Sequence, residues 1–352
     1  MRFSLRFNND LPPTEYLRLA VAAEAAGFDQ FWVSHDLFWR HAWTVLGALA
    51  TATQRIKLGT CIVNPYTQHV AEIAMAAATL DELSGGRANL GFGAGAGDFL
   101  NWVGIEQTAP LAATRDSLMA LKLLFSGERP ADVLADVANE PRPDEQNGAT
   151  VRPPVALGRW TSEAYLRFPS RHIPIYLGAM SPRMLRLIGE MADGGLPLLF
   201  PPEHYTEVMG YIADGAREAG RDSASVDVAA CVWCSVSTDA GAARAALQAK
   251  IAYYGHALSP LILERLGLTY ADFDEIERVA QRGGNLDAAA AMVTDQMLRI
   301  GLVGTARDLI PRLEGLVERG ARHLSFGPPL GPDPLEAIEV LGREVLPHFR
   351  VA

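Results

Sequence analysis

The chain has 352 residues, of which 49% are hydrophobic and 20% charged, with three cysteines and a formal net charge of −10. This is the composition of a globular chain with a large core, and the length suits one (β/α)8 barrel with insertions. An acidic balance without a basic stripe opposes nucleic-acid binding, and no stretch is apolar enough to span a bilayer.

The start, Met1-Arg-Phe-Ser-Leu, reads as a first strand rather than a secretory leader, so a cytoplasmic location is expected. The first strand runs from Arg2 to Phe7 and leads into a helix from Thr14 to Ala26, preceded by Asp10-Leu-Pro-Pro and stopped by Gly27. Further strands are expected at Gln30 to Ser34, Ile56 to Val63, Ala88 to Gly93 and Ile173 to Gly178. The series ends with Gly195 to Phe200, Val226 to Val236 and Arg322 to Phe326. Eight strands alternating with helices are what a closed parallel barrel requires, so residues 1–352 are read as one domain.

Two stretches interrupt the alternation. Residues 126–172 are rich in proline, glycine and acidic residues with little periodicity, and read as a long excursion after strand four that serves as a lid or an intersubunit contact. Residues 259–299 read as a helical insertion, with Leu261, Ile262 and Leu266, then Ala289, Met292 and Val293, spaced for one face.

Chemistry in such a barrel is expected at the C-terminal ends of the strands. Leu177-Gly178-Ala179-Met180-Ser181 joins a strand to a helix opened by Pro182, so small residues, a capping serine and free backbone N–H groups form a candidate phosphate cradle. An ordinary turn with a capping serine fits the same residues. Gly91-Phe-Gly93-Ala94-Gly95 imitates a dinucleotide fingerprint, but Ala96-Gly97-Asp98 does not open the expected helix, and the nicotinamide reading is rejected. Gly93, Ala94 and Gly95 are read instead as leaving room for a flat ring or its side chain.

Asn64 either donates its amide to that ring or stabilises the turn before Pro65. Ser34-His35-Asp36 ends strand two, where His35 is suited to proton transfer and Asp36 to orienting it or binding a ring edge. Trp102, Trp160 and Trp233 are candidates for the pocket wall as well as for plain packing. Cys231 and Cys234 lie three apart within one strand and so face opposite sides of the sheet, which makes them two strand cysteines rather than a redox pair. No two histidines have helix-face zinc spacing, and no metal is expected.

Several of these words, in order, resemble the bacterial-luciferase-like superfamily of flavin- and deazaflavin-dependent oxidoreductases, particularly its methylenetetrahydromethanopterin-reductase branch. They are Leu58-Gly59 with Val63-Asn-Pro-Tyr-Thr-Gln-His69, Asp81-Glu-Leu-Ser-Gly-Gly-Arg87 with Leu90-Gly-Phe-Gly-Ala-Gly95, Ile173 to Met184, Met191-Ala-Asp-Gly194 and His323 to Pro329. The resemblance implies a luciferase-like TIM barrel that binds reduced coenzyme F420 or FMN noncovalently and exchanges a hydride with a small organic substrate. It also admits an FMN-dependent monooxygenase fed by a separate flavin reductase, and a noncatalytic flavin-binding protein.

From the same resemblance come a non-prolyl cis peptide at Cys61-Ile62 behind the ring, Gly194 among the cofactor contacts, and a homodimer packed through the early helices around Ala71 to Ala78. Two departures stand out. Arg6 occupies the place of a strand-one glutamate, and Ala96 that of an aspartate after the strand-four glycines. Arg6 is read as binding an anionic substrate or forming a salt bridge at the barrel mouth.

Overall fold

The computed structural model describes residues 1–134, 142–143, 150–151, 160–169, 171–197, 201–255, 258, 260–282 and 284–350. Eight parallel strands close on one another: β1 (Arg2–Phe7), β2 (Gln30–Val33), β3 (Lys57–Thr60), β4 (Ala88–Phe92), β5 (Ile175–Ala179), β6 (Gly194–Pro197), β7 (Asp227–Val236) and β8 (His323–Leu330). Each pairs with its sequence neighbour, and β8 returns to β1 through Arg2 opposite His323 and Leu5 opposite Phe326. All eight expected strands are present, because strands covered on both faces appear in sequence as short apolar runs.

Helices α1 (Pro13–Ala26), α2 (Ala42–Ala52), α3 (Val70–Ser84), α4 (Pro110–Ser126), α5 (Pro182–Met191) and α6 (Tyr205–Glu218) follow the first six strands. Gly27 ends α1 in the left-handed conformation, and the Ser181 hydroxyl caps α5, as their sequence positions predict. The main apolar core lies between these helices and the outward faces of the strands. Of the alanines on α3, Ala74, Ala77 and Ala78 belong to that core, while Met75 and Leu83 are the large apolar residues left exposed. Among the described residues, no helix is long and apolar enough to cross a membrane.

After β7, helix α7 (Ala240–Tyr254) is followed by a run of short helices, Pro260–Leu266, Asp274–Glu277, Leu286–Ala291 and Asp295–Leu298, rather than by long ones. They enclose a second core in which Ile262, Leu266, Ala289 and Val293 pack with Trp233 and Leu247, whereas Met292 is exposed. A strand without a counterpart in the sequence reading, Gly301–Gly304, pairs with β7 outside the barrel. Helix α8 (Ala306–Glu318) then returns the chain to β8. Of the 126–172 excursion, residues 135–141, 144–149, 152–159 and 170 lie outside the described residues, and so does its expected lid or intersubunit role. Within it, a short helix Pro130–Leu134 and a two-residue antiparallel pairing of 142–143 with 150–151 are described.

The lower half of the barrel interior is polar. Trp32 donates to Gln30, Gln30 to Tyr176, and the Tyr176 hydroxyl to Asp227 at 2.6 Å. Asp227 also pairs with Arg2 and meets His323 Nδ1 at 3.2 Å, and His323 Nε2 meets the Ser4 hydroxyl at 2.8 Å. Ser4 donates to Ser325, which accepts from Arg6 Nε. One chain of contacts therefore rises from the bottom of the barrel to the underside of its mouth.

Candidate active site

The mouth is built around the end of β3. The Cys61–Ile62 peptide is cis, and the backbone on both sides of it is held by hydrogen bonds: Cys61 N–H donates to Val33, Val63 N–H to Gly91, and Gly93 N–H to Val63. Gly91 is required by close approach, since a Cβ there would stand 1.8 Å from the Thr60 carbonyl oxygen. A Cβ on Gly93 would fall 2.7 Å from Ile62 Cδ1, and one on Gly178 would fall 2.9 Å from Ile62 Cγ2. The space left by these two glycines is thus filled by the Ile62 side chain, which forms a half-exposed apolar shelf between β4 and β5. The cysteine beside it, partly exposed, is disfavoured as a thiolate: burial pushes the Cys61 thiol up to about 12, against the opposing pull of Arg6.

Asn64 takes the turn-stabilising role. Its Oδ1 accepts from the backbone N–H groups of Tyr66 and Thr67, each at 3.0 Å, and from the Thr67 hydroxyl. Its amide nitrogen lies against Gly95, a residue with φ of +77°. The carbonyls of Ala94 and Gly95 accept from Gln107. Contrary to expectation, a helix does open after this track, but it is only five residues long, Gly97–Asn101. The chain then continues into α4 of the barrel, so the rejected dinucleotide reading stays rejected on topology.

At the end of β5, Leu177 and Ala179 are buried while Met180 and Ser181 are exposed, and the Ser181 hydroxyl accepts from Met184 N–H at the head of α5. Gly178 thus lies beside Ile62, and Ser181 follows it at the same end of the barrel. Gly194 does not join them. It opens β6 at the opposite end of the barrel, where a Cβ would meet the Tyr176 ring at 2.3 Å, so its lack of a side chain serves the interior packing of Tyr176.

Across the mouth, the loop after β2 is held by Asn9, a fully buried residue that the sequence reading passed over. Its side chain donates to the carbonyls of Asp36 and Arg40 and accepts from the Ser34 hydroxyl and Asp36 N–H. The Ser34 hydroxyl, whose single hydrogen is shared between Asn9 and Asp36, also lies 3.1 Å from Asp36 Oδ2. Burial raises the Asp36 carboxyl above its ordinary range, with Ser34 and Lys250 opposing. His35 Nδ1 accepts from Ala42 N–H at the start of α2, and Nε2 is 2.9 Å from the Gln68 amide. Burial, then the neighbouring His41, lower His35 to about 4, so its imidazole is neutral at pH 7.

Arg6 is only 5% exposed. The expected salt bridge is absent among the described residues: the guanidinium has neutral partners, the Ser325 hydroxyl at 3.1 Å and the Val232 carbonyl at 2.8 Å. Trp233 is buried in the second core, and Trp102 is exposed beside Phe99 and Phe38. Trp160 packs near His69 on the outer side of the main core. Cys231 belongs to the barrel interior and Cys234 to the outer core, as strand alternation requires. Lys250 was not foreseen. It comes from α7 to lie over the rings of Tyr254 and Trp233, at 4.9 and 5.6 Å from their centroids.

The family model for luciferase-like monooxygenases matches residues 3–323. The chain is 32% identical to a 5,10-methylenetetrahydromethanopterin reductase of Methanolobus tindarius, over 98% of this chain and 100% of that protein. It is 31% identical to an F420-dependent glucose-6-phosphate dehydrogenase of Nakamurella multipartita, over 96% of this chain and 93% of the other. In three dimensions it is similar to the coenzyme F420 dependent tetrahydromethanopterin reductase from Methanopyrus kandleri, with a TM-score of 0.84, 29% identity and 99% of each chain covered.

Proposed function

The chain belongs to the luciferase-like family, and from that premise we propose that it is an oxidoreductase that binds reduced coenzyme F420 noncovalently and transfers a hydride to or from a small organic substrate. The observation that carries this reading is the Ile62 shelf, seated on Gly93 and Gly178 beside the head of α5, in a chain whose full-length relatives include an F420-dependent enzyme. A flat apolar shelf next to a helix N-terminus fits a ring joined to a phosphate. Bound there, the deazaflavin supplies two-electron hydride chemistry and the protein supplies position and electrostatics.

In this reading Ile62 and the cis peptide before it support one ring face, Asn64 and the Gly93–Gly95 segment border it, and Leu177 to Ser181 with the first turn of α5 receive the phosphate. Asp36, with its raised affinity for a proton, holds or moves a proton at the open face, and neutral His35 positions the loop that carries it. In this reading the protein works in the cytoplasm as a homodimer packed through the early barrel helices, with the core already taking Ala74, Ala77 and Ala78 of α3.

FMN is the second reading, favoured by the description of the matching family as monooxygenases; a separate reductase would then supply reduced flavin. Calorimetric titration with F420 and, separately, FMN tests the proposal. Tight binding of F420 with weak or no binding of FMN is expected. The reverse preference makes the protein FMN-dependent, and binding of either ring without turnover over a broad acceptor panel leaves a cofactor-holding protein.

A further inference from the structure

Two cations lie around Trp233 at the barrel mouth, and neither has a carboxylate within ion-pair distance among the described residues. Arg6 reaches up from β1 into space that Gly327 leaves empty, since a Cβ on that glycine would lie 2.4 Å from its Nη2. Gly327 is the register partner of Trp233, and Arg6 Nη2 bonds the carbonyl of the preceding residue, Val232. Lys250 approaches the same Trp233 from above, through the face of its ring. Arg6 and Lys250 therefore bracket one residue of β7. Among the described residues Arg6 has only neutral acceptors, and Lys250 has aromatic faces and no hydrogen-bond acceptor.

Burying a guanidinium against neutral groups alone is costly unless an anion completes its surroundings. Burial lowers the Lys250 pKa, the Asp10 and Asp36 carboxylates oppose it, and Arg6 lowers it further, so the two cations also sense each other. A chain with a net charge of −10 repels anions at long range. At physiological ionic strength, however, solvent-exposed charges more than about 8 Å away are largely screened, so the nearby charges decide what enters, Arg6 and Lys250 drawing an anion against the opposing Asp10 and Asp36.

We propose that Arg6 and Lys250 form an oxyanion-binding subsite at the mouth, and that the substrate of this enzyme carries a carboxylate or phosphate that docks there. The inference rests on the oxidoreductase reading for its location over the cofactor ring, but the subsite is testable without it. The guanidinium offers a planar fork to two oxygens and the ammonium a mobile point charge, a combination suited to a small oxyanion. Trp233 and Tyr254 beside them offer apolar faces to the rest of the substrate.

The test is titration of inorganic phosphate and of acetate into the F420-saturated protein, followed by Trp fluorescence and heat, with wild type, Lys250→Met and Arg6→Gln. Saturation with F420 keeps the head of α5 filled, so anion binding there does not contribute. Millimolar or tighter binding of phosphate or acetate is expected, weakened at least tenfold in Lys250→Met and largely retained in Lys250→Arg. The anion that binds more tightly identifies phosphate or carboxylate as the substrate group. Lys250→Met is the decisive variant because Lys250 is half-exposed and outside the buried network, whereas Arg6→Gln risks the fold.

Absence of binding by both anions, or equal binding in Lys250→Met, overturns the proposal. So does displacement of the anion by F420, which would assign the pair to the cofactor. If F420 itself does not bind, the same titrations on the protein alone still test the subsite, so the two failures are distinct.

Discussion

Burial acts on His35 and Asp36 in opposite senses, because it disfavours the charged form of each. His35 becomes a neutral hydrogen-bonding ring, and Asp36 a carboxyl that keeps its proton to higher pH than usual. Asp36→Asn is therefore expected to lower kcat by about 10² or more, as loss of a proton-transfer group does, and to leave F420 affinity within about threefold. The same variant should be more stable than wild type at neutral pH. A carboxyl whose folded pKa is raised binds protons more tightly when folded, so wild type loses stability as pH rises from the ordinary carboxylate range through the folded pKa. Melting curves at pH 7 and near pH 4 check this: the advantage of Asn should be present at the first and small at the second.

His35→Ala removes the acceptor for Ala42 N–H and the contact to Gln68, and misplaces the loop. Turnover should fall by up to about 10², more than cofactor binding does. Equal losses would make His35 a cofactor ligand. The positions of His35 and Asp36 were legible because polar residues ending a barrel strand are read as active-site candidates. Asn9 and Lys250 were not legible, since a buried asparagine after β1 has no local pattern and a helix lysine normally faces solvent.

At the scale of elements, the shelf and the strands beneath it make different demands on glycine. Gly178→Ala places a methyl 2.9 Å from Ile62 Cγ2, so the Ile62 side chain must shift, whereas Gly91→Ala places one 1.8 Å from a backbone oxygen that can shift only with its strand. The first should cost about 1–2 kcal/mol of stability, in the overpacking range, and weaken F420 binding about tenfold through the displaced Ile62. The second should destabilise by about 3 kcal/mol or more and yield little folded protein. Urea unfolding of both variants with F420 titration of the first distinguishes them; an unchanged F420 affinity in Gly178→Ala would separate Ile62 from the cofactor.

The strands could be placed in sequence because runs such as Ala88 to Phe92 are apolar and bounded by turn residues. The strand Gly301–Gly304 was missed, with a glycine at each end and only two apolar residues between. The helical insertion was recognised by its apolar spacing, but not its division into short pieces, since Gly267 and Gly284 interrupt it with left-handed turns. Gly194 was misplaced for a related reason: its motif marks a strand start, and only the closed barrel reveals that this end faces away from the mouth.

For the molecule as a whole, the backbone pairing that closes the barrel is reinforced at its base by a carboxylate. Asp227 on β7 joins Arg2 of β1, Tyr176 of β5 and His323 of β8, so a single side chain ties together four of the eight strands. Burial alone would raise its pKa, but the hydrogen bonds and charge of His323, the Tyr176 hydroxyl and Arg2 outweigh it and hold the carboxyl well below the ordinary range. A folded pKa below the unfolded value, about 3.9 for aspartate, means that the folded state binds this proton more weakly. The stabilisation is complete above that value and is lost as pH falls below it toward the folded pKa. Asp227→Asn, similar in shape but uncharged, should lose about 2 kcal/mol at pH 7, a figure reduced by the partial exposure of Arg2. Wild type and variant should converge as pH falls toward 2. Urea unfolding at pH 7, 4 and 2.5 measures the gap; a gap that is the same at all three would mean that Asp227 acts through packing and not through its charge. The interior chain of contacts continues from this base through Ser4 and Ser325 to Arg6, so weakening it should also loosen the guanidinium at the mouth. Anion affinity in Asp227→Asn, measured at pH 7 where the variant is still folded, should accordingly fall by a smaller factor than in Lys250→Met.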